Sequence, residues 1–226
     1  MSNNQPDSTT RFAQFKLVLL GESAVGKSSI VHRFVKNTFD DLRESTIGAA
    51  FLTQTITIPE SNTTIKFEIW DTAGQERYKS LAPMYYRNAH AALCVYDITS
   101  RVSFNKAQDW IKELKRQAPE GIVIALVGNK ADLADNREVE QSEVEEYIEE
   151  HNEVGSGGSV IVTAECSAKT GEGVLDIFNR VGRALPVEEA INAASHRSRQ
   201  QGSRRSGGVD LNRPRNQQQQ QSNSCC

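Results

Sequence analysis

The residues FKLVLLGESAVGKSSIVHRFVK, at positions 15–36, join an apolar run to a segment of helical periodicity through a turn that contains two glycines. The run Phe15–Leu20 is interrupted only by Lys16, which is typical of a short strand buried on both faces of a parallel sheet. In Lys27–Lys36 the apolar side chains recur on one side of a helix. A strand, a turn and a helix in this order predict the beginning of a βαβ unit.

The turn itself, Gly21–Ser28, fits the phosphate-loop pattern of glycine, four residues and then Gly-Lys-Ser. Backbone N–H groups at the start of the helix would face phosphate oxygens, and Lys27 would add a positive charge at the β and γ groups. The Ser28 hydroxyl is placed to hold Mg²⁺. The alternative is a glycine-rich turn with an exposed lysine, which the flanking strand and helix disfavour. The loop residues assigned to nucleotide binding are Ser23, Ala24, Val25, Gly26, Lys27, Ser28 and Ser29.

Strands and helices alternate along the rest of the chain. Phe51–Ile58 and Thr64–Ile69 alternate apolar and polar residues on either side of Ser61-Asn62-Thr63, which predicts a hairpin. The other predicted elements are the strands Ala91–Tyr96, Ile122–Val127 and Val160–Thr163, the helices Phe104–Leu114 and Gly173–Leu185, and a glutamate-rich helix capped by Ser142 that ends near His151. This order predicts an α/β fold with a doubly wound, six-stranded, mostly parallel sheet and flanking helices, in which Phe51–Ile58 is the antiparallel strand.

Asn129-Lys130-Ala131-Asp132 follows the predicted strand Ile122–Val127 and could select the base. The Asp132 carboxylate accepts two hydrogen bonds and so matches the N–H and NH₂ edge of guanine, whereas adenine presents a lone pair there. Asn129 can bridge the base to the phosphate loop, and the stem of Lys130 can cover the ring. Alone this tetrapeptide would be a polar loop, but its position after a buried strand favours a base site. Ser167-Ala168-Lys169 would close the other side through the Ala168 N–H, unless it is a plain strand-to-helix turn.

A third segment, Asp71-Thr72-Ala73-Gly74-Gln75-Glu76, follows the strand Thr64–Ile69. Asp71 can hold Mg²⁺ through water, the Gly74 N–H can reach the γ-phosphate, and Gln75 can orient an attacking water. Thr46 would complete the metal shell, and the loops that carry Thr46 and Gly74 would be ordered by the γ-phosphate and released on hydrolysis. The predicted catalytic residues are Gln75, Lys27, Thr46 and Gly74, and the predicted metal ligands are Ser28, Thr46 and Asp71.

Composition divides the chain of 226 residues unevenly. The net charge of −3 argues against a nucleic-acid-binding protein, yet residues 195–226 carry six arginines against one aspartate. Five consecutive glutamines lie in the same tail, which cannot bury enough apolar surface to fold. We therefore expect a short N-terminal segment, 1–11, a nucleotide-binding domain, 12–186, and a disordered basic tail, 187–226. No stretch is long and apolar enough for a membrane span or a secretory signal.

In combination and in order, these segments resemble the Ras-like small GTPases, which are P-loop proteins with a small GTP-binding domain. Trp70–Tyr78 and Tyr85-Tyr86-Arg87 look like the Rab branch, and Thr46–Phe51 with Ser80–Asn88 looks like its early-endosomal group, of the Rab-five and fungal vacuolar-sorting type. The resemblance implies that Phe39 stacks on the guanine. It also implies an apolar patch read by effectors in the GTP state, formed by Phe51, Trp70 and Tyr85, although strand aromatics are more often core residues.

The last two residues, Cys225-Cys226, resemble the double-cysteine ending that carries two geranylgeranyl groups in Rab proteins, rather than the C-a-a-X form. Two lipid chains anchor a protein stably where one holds it marginally. A basic tail of this kind favours an anionic surface, and about 40 flexible residues would span roughly 35 Å. The alternative is a pair of unmodified thiols. The resemblance places the protein on the cytoplasmic face of early endosomes, cycling through the cytosol.

The implied function is a switch that binds GTP or GDP with Mg²⁺, hydrolyses GTP slowly and acts in vesicle tethering, fusion and endocytic transport. The implied partners are an exchange factor, a GTPase-activating protein, a GDP-dissociation inhibitor, a prenylation escort and tethering effectors, and we expect the GTP-binding domain to be monomeric.

Arg77 is interpreted as a structural or switch residue, so no intrinsic arginine finger is assigned. Two departures from the family are Ser23, where some relatives have glycine, and the insertion Gly155–Gly158. The rival hypotheses are a binding scaffold whose hydrolysis is irrelevant and a phosphotransferase of the nucleoside-kinase type.

Overall fold

The computed structural model describes residues 11–42, 46–74, 82–151 and 159–193. Its strands form one six-stranded sheet in the order β2-β3-β1-β4-β5-β6. They are β1 (Arg11–Leu20), β2 (Ala49–Ile58), β3 (Thr63–Thr72), β4 (Ala91–Asp97), β5 (Val123–Asn129) and β6 (Val160–Glu165). The helices are α1 (Lys27–Lys36), α2 (Ala82–Tyr86), α3 (Arg101–Gln117), α4 (Gln141–His151) and α5 (Val174–Ala184), with 3₁₀ turns at Pro59–Ser61 and Ala131–Asn136.

Four of the five strand pairs in this sheet are parallel, and β2 pairs with β3 in antiparallel register. The predicted doubly wound fold with one antiparallel strand is therefore confirmed. β1 lies between β3 and β4, so the chain moves outward from β1 first to one side of the sheet and then to the other. In open α/β sheets, ligands bind at such a reversal, outside the carboxyl ends of the strands.

Alternation along β1 divides the core into two halves. Leu17 and Leu19 face the half that is covered by α1 and α5, whereas Val18 and Leu20 face the half covered by α2, α3 and α4. All four side chains are fully or almost fully buried. This two-sided burial explains why the run reads as continuously apolar rather than alternating, and it fixes the Gly21 turn at the edge of a rigid sheet.

Several elements are longer than the apolar pattern predicts. β4 and β5 extend to Asp97 and Asn129, and these two polar residues are register partners at the carboxyl edge. The ladder of backbone hydrogen bonds continues past the last apolar side chains to these two buried polar residues, so the apolar pattern ends earlier than the strand. After Pro186, residues 187–193 are helical, and Val187 and Ile191 pack against the half of the core that contains α5.

The predicted cap of α4 was wrong. Ser142 lies inside the first turn, because the helix begins at Gln141. The Glu140 N–H donates to the Glu143 carboxylate across 3.1 Å, and the Glu143 N–H donates back to the Glu140 carbonyl. A glutamate three positions into a helix can satisfy the backbone in this way, which favours Glu140 over Ser142 as the helix boundary.

No helix among the described residues is both long and apolar enough to cross a bilayer. Gln75, the insertion Gly155–Gly158 and the tail with Cys225 and Cys226 lie outside the described residues, and the predictions made for them stay predictions.

Candidate functional site

A cavity of about 400 Å³ opens at the carboxyl ends of the central strands. Of the residues predicted to bind nucleotide, all but Val25 and Ser167 line it. The lining residues that were predicted are Ser23, Ala24, Gly26, Lys27, Ser28, Ser29, Phe39, Thr46, Gly74, Asn129, Lys130, Asp132, Ala168 and Lys169. Four further lining residues were not predicted: Asp40, Asp41, Thr72 and Leu133. Five separate segments of the sequence therefore meet at one opening.

The phosphate loop holds an unusual backbone conformation. Ala24 and Gly26 both have positive φ, at 62° and 93°. A Cβ on Gly26 would lie 2.1 Å from the Nδ2 atom of Asn129, so glycine is required there for space as well as for conformation. Gly21 is constrained similarly, because a Cβ would lie 2.3 Å from the Val95 carbonyl oxygen. The loop can thus pass close to the sheet and expose its N–H groups at the start of α1.

Lys27 lies beneath this loop. Its Nζ atom donates to the carbonyl oxygens of Gly21 and Glu22, at 3.0 and 2.7 Å. Burial lowers the pKa of Lys27 from 10.5 to about 8, although the nearby charges of Asp71 and Glu22 oppose the shift. The ammonium is therefore held in a site that lacks the negative charge needed to stabilise it fully. A phosphate in the cavity would supply that charge.

Asn129 joins the phosphate loop to the loop after β6. Its side-chain amide donates to the Val25 carbonyl oxygen at 2.9 Å, and its amide oxygen accepts from the Ala168 N–H at 3.1 Å. The Ala168 N–H, predicted to meet a guanine carbonyl, would share its proton between that carbonyl and Asn129. Asp132 accepts a hydrogen bond of 2.5 Å from the Ser167 hydroxyl, which orients its carboxylate at the cavity.

Asp97 is a functional candidate that the sequence analysis missed. Its carboxylate lies 2.5 Å from the Lys130 ammonium and accepts two hydrogen bonds from Thr99. Burial acts to raise the pKa of Asp97, but the hydrogen bonds from Lys130 and Thr99 outweigh it and lower the pKa below its ordinary value. The pair anchors the end of the Lys130 side chain, so that its stem lines the cavity. The signal in the sequence that could have identified Asp97 is an acidic residue at the end of a buried strand.

The predicted metal ligands lie on α1, in the loop before β2 and on β3. The Ser28 and Thr46 hydroxyls are 2.7 Å apart, and the Asp71 carboxylate, 2% exposed, lies at the end of β3. Among the described residues no cluster of three or more His, Cys, Asp or Glu side chains could hold a metal. Two hydroxyls and one buried carboxylate are ligand types that fit Mg²⁺ rather than a fully protein-ligated ion, because Mg²⁺ is commonly completed by waters and substrate phosphates.

Gly74 lies against the phosphate loop. A Cβ at this position would be 2.4 Å from both the Glu22 carbonyl oxygen and the Lys27 Nζ atom. The chain after β3 therefore approaches the loop closely enough for a backbone N–H to reach a phosphate. The next residue, Gln75, is outside the described part of the chain.

The three aromatic residues of the predicted effector patch are in contact. The rings of Phe51, 53% exposed, and Trp70 are inclined at 68° with a centroid distance of 5.6 Å, and the Trp70 centroid lies 6.2 Å from that of Tyr85. Trp70 and Tyr85 also pack against the core half under α3. The Lys16 ammonium lies 4.9 Å from the Trp70 ring centroid, on the opposite side of β3 from β2. The patch is thus continuous with the core at one end and exposed at the other.

A phosphate loop, a carboxylate placed for guanine and a doubly wound sheet together define a P-loop nucleotide-binding protein of the GTP-binding class. Comparison with known proteins agrees: the Ras family model matches residues 16–186. The chain is also 60% identical over 194 residues to the GTP-binding protein ypt5 of Schizosaccharomyces pombe, an alignment that covers 85% of this chain and 87% of ypt5. The chain belongs to the Ras family of small GTPases. The assignments made from sequence to the Rab branch and to GTPase activity are confirmed.

Proposed function

We propose that this Rab-type GTPase reads the base with Asp132, holds the phosphates with the loop Gly21–Ser28, and uses the difference between GTP and GDP to order the segments that carry Thr46 and Gly74. The observation that carries the proposal is the cavity in which these groups meet, joined by the hydrogen bonds of Asn129 to Val25 and Ala168. A single bound nucleotide would span all of them.

Guanine selection follows from the Asp132 carboxylate. One of its oxygens is oriented by the Ser167 hydroxyl, and the carboxylate retains lone pairs for two N–H donors. The guanine edge offers such donors, whereas adenine would oppose an acceptor with an acceptor at a cost of about 1–3 kcal/mol. Phe39 and the stem of Lys130 line the same cavity and would cover the two faces of the ring.

Hydrolysis would depend on positioning and electrostatics. Lys27 and the N–H groups of the loop would stabilise charge on the β- and γ-phosphates, and Ser28, Thr46 and Asp71 would hold Mg²⁺. When bound, Mg²⁺ neutralises charge on the phosphate oxygens. Gln75 would orient the attacking water, and the Gly74 N–H would contact the γ-phosphate. Because no residue is assigned as an arginine finger, hydrolysis would be slow alone and accelerated by a GTPase-activating protein.

The cellular role follows from the Rab assignment and from the similarity to ypt5. We propose that Cys225 and Cys226 carry prenyl groups, that the protein cycles between the cytosol and endosomal membranes, and that Phe51, Trp70 and Tyr85 contact tethering effectors in the GTP state. An exchange factor, a GTPase-activating protein, a GDP-dissociation inhibitor and a prenylation escort would complete the cycle.

The base site is tested by extracting nucleotide from the purified protein and by measuring GDP and ADP binding in Mg²⁺. We expect bound guanine nucleotide and exclusion of ADP. Asp132→Asn replaces an acceptor with a donor, so it should weaken GDP binding and favour xanthosine diphosphate, whose base carries a carbonyl where guanine has NH₂. Asp135→Asn, an exposed change in the same 3₁₀ turn, is the matched control. ADP binding, or GDP binding that Asp132→Asn leaves intact, would contradict the assignment.

The hydrolytic role is tested separately. Gln75→Leu should keep GDP affinity and remain loaded with GTP in the presence of a GTPase-activating protein. A single-turnover assay of phosphate release measures this directly. Equal release by the parent protein and by Gln75→Leu would remove Gln75 from the mechanism. A parent protein that binds GTP without releasing phosphate would instead support the scaffold hypothesis.

A further inference from the structure

Arg33 makes several contacts with the base side of the cavity without lining it. Its Nε atom donates to the Ala168 carbonyl oxygen at 3.0 Å, and its Nη2 atom donates to the Lys169 carbonyl oxygen at 2.7 Å. Its Nη1 atom donates to the carbonyl and side-chain oxygens of Asn37, at 3.0 and 3.3 Å. One guanidinium therefore joins the last turn of α1 to the loop after β6.

The contacts of Arg33 with the Ala168 and Lys169 carbonyl oxygens fix the orientation of these peptide groups in the loop after β6. In a planar trans peptide the C=O and the following N–H point in opposite directions. With the Ala168 carbonyl oxygen directed at Arg33, the N–H of the same peptide unit, which belongs to Lys169, points away from Arg33. Lys169 itself lines the nucleotide cavity. The Ala168 N–H is held on the cavity side by Asn129.

The other end of Arg33 is equally constrained. Asn37 caps α1 in a left-handed conformation, with φ of 52°, and its N–H donates to the Arg33 carbonyl oxygen. Gln54 of β2 donates to the Phe34 carbonyl oxygen in the same turn, at 3.3 Å. Arg33 is thus held by α1, the helix whose first residues are Lys27 and Ser28. Through Arg33, this helix also holds the loop after β6 in place. Its planar fork suits two neighbouring carbonyls better than a single ammonium would.

We propose that Arg33 is a positioning residue for guanine, which acts through Ala168 and Lys169 and slows the release of the nucleotide. The inference rests on the proposed function, because it needs guanine nucleotide in the cavity. It adds a residue outside the motifs that carry the binding site. It also identifies the atom of the ligand on which the residue acts, the guanine carbonyl oxygen O6, which the loop N–H groups would meet.

The test measures dissociation of GDP from the full chain in Mg²⁺ after a chase with excess unlabelled GDP. Arg33→Met keeps an unbranched apolar stem and removes the donors, and Arg33→Lys keeps the charge with a single ammonium. Of the four hydrogen bonds that Arg33→Met removes, the two to the loop after β6 bear on guanine, and their loss should make GDP dissociate at least about tenfold faster, with Arg33→Lys between Arg33→Met and the parent. The matched control is Arg180→Met, because Arg180 also donates to a main-chain carbonyl, that of Thr163, but from α5.

A second ligand distinguishes an effect of Arg33 on the position of the loop N–H groups from a general loosening of the nucleotide site. With 6-thio-GDP, in which sulfur replaces O6, the parent protein should release the ligand faster than GDP, because sulfur is a weak acceptor. In Arg33→Met the ratio of the two rates should fall towards one, since the loop no longer presents its N–H groups to that atom. Unchanged GDP dissociation, or an oxygen-to-sulfur ratio equal to that of the parent, overturns the inference. A parent protein that binds no GDP would instead overturn the proposed function.

Discussion

The Nδ2 atom of Asn129 lies 2.9 Å from the carbonyl oxygen of Val25, so the end of β5 is bonded directly to the phosphate loop. Both residues are at least 98% buried. The same side chain accepts a hydrogen bond from Ala168 through its amide oxygen. One amide thus links the part of the cavity assigned to phosphates with the two loops assigned to the base. Asn129 therefore supports both parts of the site through contacts within the protein.

Asn129→Ala should therefore weaken nucleotide binding through the protein's own contacts. It leaves a buried carbonyl and a buried N–H without partners, each at a cost of about 1–3 kcal/mol. We expect GDP to dissociate at least about tenfold faster, and the nucleotide-free protein to lose about 2 kcal/mol or more of its free energy of unfolding. Stopped-flow dissociation and urea unfolding measure the two effects. Asn136→Ala, at an exposed position, should change neither; a GDP rate unaltered in Asn129→Ala would refute the linkage.

Lys27 should titrate differently with and without nucleotide. In the nucleotide-free fold its pKa is lowered to about 8 by burial. Phosphates would favour the charged form and raise the pKa again, so binding takes up a proton once the free protein has lost one. The affinity for GDP is therefore level below the pKa of Lys27 in the free protein and falls as the pH rises through that pKa. Between about pH 7 and about pH 9 the loss should approach tenfold.

Lysine side-chain NMR checks this without reliance on affinity alone. The Lys27 signal, assigned by its disappearance in Lys27→Arg, should titrate near pH 8 in the free protein and well above that value in the GDP complex. A Lys27 signal that titrates at the ordinary lysine pKa in the free protein would contradict the argument, as would one that GDP leaves unmoved.

Gly74→Ala should impair hydrolysis more than GDP retention. The added Cβ would lie 2.4 Å from the Glu22 carbonyl oxygen, which belongs to the phosphate loop, so the chain at Gly74 has to move away. A displaced N–H can no longer meet the γ-phosphate, and loss of such a donor typically costs about 100-fold in rate. Single-turnover GTP hydrolysis should fall by at least about tenfold. Gly121→Ala is the control, because its Cβ would enter open space; alanine is strained there by a φ of 74°, whereas Gly74 is not among the glycines with positive φ. Equal effects of the two changes would show that contact with the phosphate loop is not responsible.

The sequence predicted the residues that line the site better than the residues that hold them in place, and the reason is physical. A phosphate loop needs glycine at a positive φ, and a guanine site needs a carboxylate beside an amide, so these residue types recur at readable spacings. Arg33 acts on backbone carbonyls, which every residue has, so no pattern of side chains identifies it. Asp97 pairs with Lys130 only because β4 and β5 are neighbours in register.

The fold was also predicted from recurring residue patterns, with errors at the ends of helices and strands. Strands that are buried on both faces read as apolar runs, and their alternation with helices leaves few topologies. Element ends are decided by backbone hydrogen bonds instead. Ser142 has the side chain of a good cap, but the contact between Glu140 and Glu143 lies at the start of α4. Asp40 and Asp41 line the cavity through the conformation of a loop, for which the apolar pattern carries no signal.

The aromatic patch of Phe51, Trp70 and Tyr85 can be interpreted as an effector surface or as part of the core, and the free energy of unfolding distinguishes the two. Phe51 is 53% exposed and meets Trp70 edge-on, whereas Phe67 of the same sheet is fully buried. If Phe51 serves a surface, Phe51→Ala should lower the free energy of unfolding by less than about 1 kcal/mol, whereas Phe67→Ala should lower it by about 3–5 kcal/mol. Urea unfolding of both variants in saturating Mg·GDP measures the difference at equal ligand stabilisation. Comparable losses would make Phe51 a core residue, and its place in an effector surface would then be lost. A small loss for Phe51 alone would leave its exposed ring without a structural role inside this chain, as a surface that contacts a partner requires.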